Sequence, residues 1–414
     1  MANTLLTSTL VTKEAGYELT NKFKFLSQID RQYDSSFGSQ GRFGKVGDTI
    51  FIRTPVRLET KSGQGLQLQN LLELSVPLTI DEQFQVAFGW SSAEDALDIE
   101  EVRSRYIDIA TTSMANAADV YAINKVFLDV ANAVGTPGTA PSTLFTYMTA
   151  VTQLVNGAVD DSNLVAMLSP VSMATIAAAN STLFNPGSAI SEQYRTGMMT
   201  NDSVGIARWY REPNIKSYTT GSFTASTPLI KGASQTGSTL ITDGWASSAA
   251  TLRKGDTFTI GGVYKVNAQS YVNTSQLQNF VVTADTTSVG VDMATLPISP
   301  SIIVTGPLRN VSNSPADDAV ITVKGATSAA GGTMAATSSP QNLIFNKKAF
   351  TFATVDMLKP AGNVDCQFFR SKPAGVSMRF LSGYDMINDQ NPSRLDMLGG
   401  AATVWADAAS RAYA

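Results

Sequence analysis

A chain of 414 residues, 43% of them hydrophobic, can bury large cores and has the length of two or three domains. Its charged share of 15% lies well below the roughly 25% of ordinary soluble proteins, and Ser, Thr, Ala, Gly and Asn fill the gap. A surface poor in charge suits a large assembly or an extended interface, and a formal net charge of −4 excludes a globally basic protein held to nucleic acid by phosphate contacts, local basic patches aside.

The absence of histidine is the most informative count. It excludes Ser-His-Asp and Cys-His catalysis, His-ligated zinc and a histidine general base. Cys366 is the single cysteine, so neither an intrachain disulfide nor a four-cysteine zinc site is possible. That fits folding in a reducing cytoplasm, and Cys366 itself reads as a small buried hydrophobe. The opening MANTLLTSTLVTKEAG lacks a basic region followed by an apolar core, so no signal peptide is expected. No apolar run approaches the roughly 20 residues of a membrane span.

Residues 1–45 read as an irregular polar arm. GSQGRFGK near its end resembles a phosphate loop, but Ser39 stands where the first glycine belongs and Val46 follows Lys45 instead of Ser or Thr. Thr49 to Glu59 then alternates, with Ile50, Ile52, Thr54, Val56 and Leu58 on one face and Phe51, Arg53, Arg57 and Glu59 on the other. After a flexible tip (residues 61–65), Leu72, Leu74, Val76 and Leu78 line a return strand. Two arms of about ten residues would reach roughly 30 Å. An isolated hairpin is marginal in water, so this one needs a neighbour. Arg53, Arg57, Glu59 and Lys61 are its candidate contact residues, expected to pair with groups on an adjacent molecule or stay solvated.

Ser91-Ser92-Ala93-Glu94 is a capping box, and no Gly or Pro follows until Gly135. Ile99, Val102, Tyr106, Ile109, Met114, Ala117 and Val120 keep helical spacing, so one helix of about 40 residues and roughly 60 Å is expected from Glu94 to Val134. Its early carboxylates (Glu94, Asp95, Asp98, Glu100, Glu101) suit the helix dipole better than a paired-carboxylate active site. Residues 139–222 alternate in type: a helix over 143–155, a buried strand over 163–168, a helix over 171–179, then strands and loops.

From about residue 223 to 340 Thr, Ser, Gly and Val dominate and helix signals vanish, which predicts a small β barrel or sandwich. Within it TLRKGDTFTIGGVYKVN (251–267) reads as a hairpin, with a turn at Lys254-Gly255-Asp256 and Gly261-Gly262 as a two-residue loop. From Gln341 the mixed pattern resumes, so the β segment reads as an insertion. Asp385, Asn388, Asp389 and Asn391 form an oxygen-rich cluster, but Ile387 occupies the third position a calcium loop would need, and Asx turns are the simpler reading. RLDMLGGAATVWADAASRA (394–412) is ambiguous between strand and helix.

This order of parts resembles the Hong Kong 97 fold of tailed-phage major capsid proteins. LRKGDTFTIGGVYKVN with QLQNFVVTAD resembles the insertion domain of the phage P-22 type coat-protein family. NLIFNKKAFTFATV resembles a strand of that family, with Asn346 in place of its histidine. Tyr384, Asp385, Asn388, Asp389, Pro392, Arg394, Leu395 and Asp396 follow the pattern of its C-terminal segment. The acidic loop that meets a neighbour across a twofold axis in the prototype corresponds to 235–249, which carries the one acid Asp243.

The resemblance implies an α+β fold divided into an N-terminal arm (1–45), an extended hairpin (46–80), a peripheral domain with a spine helix (81–135), an axial domain (136–222), an inserted β domain (223–340) and the rest of the axial and peripheral domains (341–414). It implies a non-enzymatic subunit with no catalytic residues, cofactor or metal, and no Lys–Asn cross-link is expected. Self-assembly into an icosahedral shell of hexamers and pentamers follows, with a scaffolding protein, a portal protein, a decoration protein as an optional partner, and packaged double-stranded DNA bound without sequence readout. Assembly is expected in the host bacterial cytoplasm, without a membrane. A surface-layer or adhesin-like subunit and a carboxylate-based hydrolase are the alternatives.

Overall fold

In chain order, helix α1 (Ser8–Lys22) and a 3-10 turn (Leu26–Gln28) precede β1 (Thr49–Arg53), β2 (Ser75–Thr79) and β3 (Glu82–Ser91). Helix α2 (Asp108–Val126) runs into a 3-10 turn (Phe127–Asp129) and the short β4 (Ala133–Val134). Helix α3 (Leu144–Asn156), β5 (Leu164–Leu168) and helix α4 (Pro170–Asn180) alternate, followed by β6 (Arg208–Arg211) and β7 (Ser217–Thr219). Strands only come next among the described residues: β8 (Phe223–Ser226), β9 (Leu229–Ile230), β10 (Gly237–Asp243), β11 (Thr251–Leu252), β12 (Thr257–Val266), β13 (Asn273–Val282), β14 (Thr286–Thr287), β15 (Ala294–Ile302), β16 (Ile321–Val323) and β17 (Gly332–Met334). The chain closes with β18 (Ser338–Asn346), β19 (Phe350–Val355), β20 (Asp365–Ser371), β21 (Val376–Ser382), β22 (Gln390–Thr403) and β23 (Ala409–Tyr413). The computed structural model describes residues 8–33, 47–54, 56–60, 63, 68–69, 73–91, 107–180, 195–199, 201–246, 251–288, 292–328, 332–360, 364–371, 375–385 and 390–414. These fall into two compact units: Met1–Ile52 with Ser75–Lys125 and Phe350–Val404, and Arg53–Leu74 with Val126–Ala349 and Trp405–Ala414.

The first unit is organised by β22, which resolves the ambiguity over 394–403 in favour of strand. Its fourteen residues pair antiparallel with β3 along 390–399, with β21 along 393–396 and with β19 along 398–403, and β20 continues the sheet from β21. Ile52, Leu78, Ile80, Ala353, Val355 and Leu398 form an apolar core beside it. A side chain at Gly400 would strike the Thr79 carbonyl at 2.1 Å, so glycine is required where the β2 backbone passes. The arm is not irregular throughout, as helix α1 lies on β20 and β21. Thr12, Ala15 and Leu19 bury one face, and a Cβ on Gly16 would lie 2.2 Å from the Phe369 ring. That close packing, more than intrinsic propensity, makes the segment helical. Asp119 of α2 is buried and accepts the backbone N–H of Lys24 (2.9 Å) and of Leu26 (3.0 Å), which fixes the turn after α1.

The long helix is also corrected at its C-terminal side. Its capping box and first turns lie outside the described residues, apart from Ser91 in β3, and the described helix ends at Val126. Residues 130–134 are instead buried extended chain. Asn132 Nδ2 donates to the carbonyls of Asp407 (3.2 Å) and Ala409 (3.1 Å), and Arg411 N donates to Asn132 O, so β4 is drawn into parallel pairing with β23. Sheet pairing with a distant segment outweighs a continuous helical pattern.

The second unit holds a sheet ordered β4-β23-β18-β5-β6, with β7 also on β18. All five residues of β5 are buried, as expected for a central strand. Helix α3 packs on β23 and β4 through Tyr147, Ala150 and Leu154. A second sheet in this unit runs β16-β12-β13-β15-β10-β9. Its core gathers Phe223, Trp245, Phe258, Ile260, Phe280, Leu296, Ile321 and Met334, with Phe258 and Phe280 stacked at 5.8 Å across the β12–β13 pair. Gly261-Gly262 is not a hairpin loop. Strand β12 runs straight through it, because Gly261 N donates to Val320 O (2.9 Å), and β12 pairs with both β13 and β16. The glycines make an irregularity in the register between Thr259 and Tyr264, with Gly262 at φ +77°. The chain reverses at 267–272, where Asn267 Oδ1 accepts from the N–H of Gln269 (2.9 Å) and Ser270 (3.0 Å).

Candidate assembly site

Among the described residues of the extended hairpin, five per arm are strand, with one further bond from Thr54 N to Leu74 O (2.9 Å), and 56–60 continue without strand pairing. Beyond it the Gln69 side chain bonds both the N–H and the carbonyl of Glu59, accepting from the first at 3.1 Å. A side chain thus replaces the ladder and keeps the arms together. Ile52 and Leu78 are buried, yet Phe51 is 69% exposed, Leu58 59% and Leu68 87%. Large apolar side chains standing in water are the mark of a surface awaiting cover.

Each charged candidate on the hairpin has its own surroundings. Arg53 Nη1 lies 3.1 Å from Glu73 across the two arms, both side chains well exposed, so the pair contributes little. Arg57 Nη2 lies 3.7 Å from Asp407 Oδ2, with both side chains about a fifth exposed. Glu59 is half-buried and held through its backbone by Gln69. Lys61 lies outside the described residues.

Asp407 also faces Lys265, whose Nζ is 4.0 Å from Oδ1. Lys265 projects from β12 into a buried polar pocket formed by Asn132 Oδ1 (3.4 Å) and the Gln153 carbonyl (3.3 Å) at the last turn of α3. Burial pushes its ammonium well below the usual lysine range, Asp407 opposes that shift, and Arg57 adds to it. Asn267 Nδ2 donates to Asn156 O (3.2 Å) and Asn156 Nδ2 to Gln276 Oε1 (3.0 Å). At the end of α3 the N–H groups of Gly157 and Ala158 serve the carbonyls of 153–155, and Lys265 of β12 and Asn267 of the turn after it add contacts to those of Gln153 and Asn156.

A second polar anchor sits at the Lys254-Gly255-Asp256 turn. The Asp256 carboxylate is buried and accepts from Arg253 N (2.8 Å), Gly221 N (3.0 Å) and the Tyr218 hydroxyl (3.0 Å). Arg411 of β23 is fully buried, donates to Gly255 O (2.7 Å) and lies over the Tyr413 ring. Burial pushes Asp256 upward, and the hydrogen bonds from Arg253 N, Gly221 N and Tyr218, with the Arg411 charge last, pull it back. Tyr413 in turn bonds Thr257 at 2.9 Å. The sequence singled out none of Asp256, Lys265, Asp407 and Arg411. The available signal was a lone charge inside an otherwise apolar strand, as in VYKVN and ASRAYA.

These groups hold distant segments of the chain together. Among the described residues no cluster of three or more His, Cys, Asp or Glu could hold a metal ion, and no helix is long and apolar enough to cross a membrane. Cys366 is buried, with its thiol pushed up by that burial, which is the reverse of an activated thiol. The phosphate-loop-like stretch falls outside the described residues, as do Asn388 and Asp389 of the oxygen-rich cluster.

Comparison with known proteins gives a family match over most of the chain: the model described as P22 coat protein - gene protein 5 covers residues 44–409. Among solved structures, a chain from Mycobacterium phage Che8 is similar at 11% identity and a TM-score of 0.45, over 94% of this chain and 90% of that one. A chain from the capsid structure of the cyanophage P-SCSP1u gives 11% identity and a TM-score of 0.41, over 90% and 85%. The CUS-3 coat protein I-domain matches at 27% identity and a TM-score of 0.18, over 24% of this chain and 96% of that one. A search of curated proteins finds no match. The family match decides the assignment: the chain, with its α+β fold, belongs to the P22 coat protein family and is a major capsid protein of a tailed bacteriophage.

Proposed function

We propose that the hairpin over 46–80 is the arm by which one subunit lies on the next in the shell. Self-assembly into a capsid and residence in the virion come with the family. The observation that carries the proposal is the exposure of three large apolar side chains of the hairpin segment, Phe51, Leu58 and Leu68. Arg53, Arg57, Glu59 and Lys61 are the polar contacts of that arm. In this reading 223–340 is an inserted β domain on the outside of the shell, and 136–222 with part of 341–414 surrounds the centre of hexamers and pentamers. Each contact is modest, and stability comes from repeating it many times per subunit. A scaffolding protein sets the curvature, a portal occupies one vertex, a decoration protein is an optional addition, and double-stranded DNA fills the interior without sequence readout. Assembly takes place in the bacterial cytoplasm, and the subunit works by geometry, with no catalytic residue or cofactor.

Shortening 60–66, or replacing Arg53 and Arg57 together, is expected to leave the monomer folded and to weaken assembly. Circular dichroism and sedimentation of assembly reactions separate the two effects. Normal shells from a subunit with a truncated hairpin contradict the proposal.

A further inference from the structure

Beneath the hairpin stem lies a cavity of about 200 Å³. Thr54, Arg57 and Leu74 line it from the stem, Ile303 and Leu308 from the segment after β15, and Asp407 from the segment before β23. Tight apolar packing therefore does not seat the stem here. What spans the gap is charge. Arg57 reaches Asp407 at 3.7 Å, and the same carboxylate faces Lys265 of β12 at 4.0 Å. Lys265 is buried and has no other carboxylate in ion-pair range among the described residues, so it cannot release Asp407 without leaving a buried charge uncompensated. Arg57 has the more exposed side chain and is the partner that can leave. Asp407 is held in place independently, because its own carbonyl accepts from Asn132.

We propose that Asp407 is a positioning residue for assembly: one carboxylate ties the hairpin stem, through Arg57, to the inserted strand β12, through Lys265, so that the arm's direction follows the seating of the insert. This rests on the reading of the hairpin as the inter-subunit arm. Arg57 then acts first within its own chain, aiming the arm, before any contact it makes with a neighbour.

Hydrogen exchange on the full chain, kept unassembled at low concentration, tests the idea without requiring shells. Arg57→Gln is expected to raise exchange of the stem amides 53–60 about threefold to tenfold at low salt, the scale of a half-buried ion pair, and to leave 263–267 as in the wild type. Asp407→Asn raises both segments, Asp407→Glu restores both, and the double variant loosens the stem no further than Asp407→Asn alone. In wild type, salt of about 1 M, where screening acts within about 3 Å, reproduces the loosening of the stem, while Arg57→Gln does not respond. This arm of the test stands even where Asp407→Asn fails to fold. Stem protection in Arg57→Gln equal to that of wild type, at every salt, overturns the proposal. A loosened stem in Arg57→Gln together with normal shells supports the tie and counts against the hairpin as the assembly arm.

Discussion

Asp256 and Lys265 show how single buried charges organise this chain. Asp256 accepts three hydrogen bonds, two from backbone N–H groups and one from Tyr218, and so joins the Lys254-Gly255-Asp256 turn to residues more than thirty positions earlier. Asp256→Ala removes the acceptor of all three and leaves the buried Gly221 N–H without it, and is expected to cost about 3 kcal/mol, read as a lowered urea midpoint. Lys265 gives a pH signature. Its folded-state value lies below the ordinary lysine value. Between the two values the unfolded chain therefore binds more protons than the folded one, and stability rises with pH. Relative to Lys265→Met, wild type should gain stability as pH climbs towards about 10, near the ordinary lysine value, and paired urea titrations at several pH values check the slope. Residue-level anchors were nearly invisible in the sequence, because their partners are distant in the chain: Arg411 and Gly255 meet across 156 positions. A turn was legible at Lys254-Gly255-Asp256, but the groups its carboxylate would bind were not.

Elements were more legible where a pattern had only one solution. The fully buried β5 and the helices α3 and α4 follow directly from apolar runs and 3–4 spacing. The misreadings share one physical cause, which is tertiary pairing overriding a local signal. Helix α1 forms because Gly16 admits the Phe369 ring. Residues 130–134 leave the helix because β23 offers them backbone partners. Gly261-Gly262 stays in strand because two neighbours pair with β12, where a lone hairpin would have turned. The β-rich stretch has an apolar core drawn wholly from residues between Phe223 and Met334. A fragment of 223–340 is therefore expected to fold alone, with a β-type circular dichroism spectrum and cooperative melting. A disordered spectrum would contradict an independent insert.

For the whole molecule, the low charge content and the exposed apolar side chains of the hairpin point the same way as the family match. The candidate contact residues were legible only as a charged face: that Arg57 pairs within its own chain, with Asp407, depends on a segment some 350 residues later. The most direct test of the central claim is electron microscopy of a bacterial lysate co-expressing this chain with its cognate scaffolding protein. Closed shells of uniform size are the predicted result and give the lattice at the same time. Soluble monomer or irregular aggregate alone, with the scaffolding protein present and folded, would contradict an account in which this chain builds the shell.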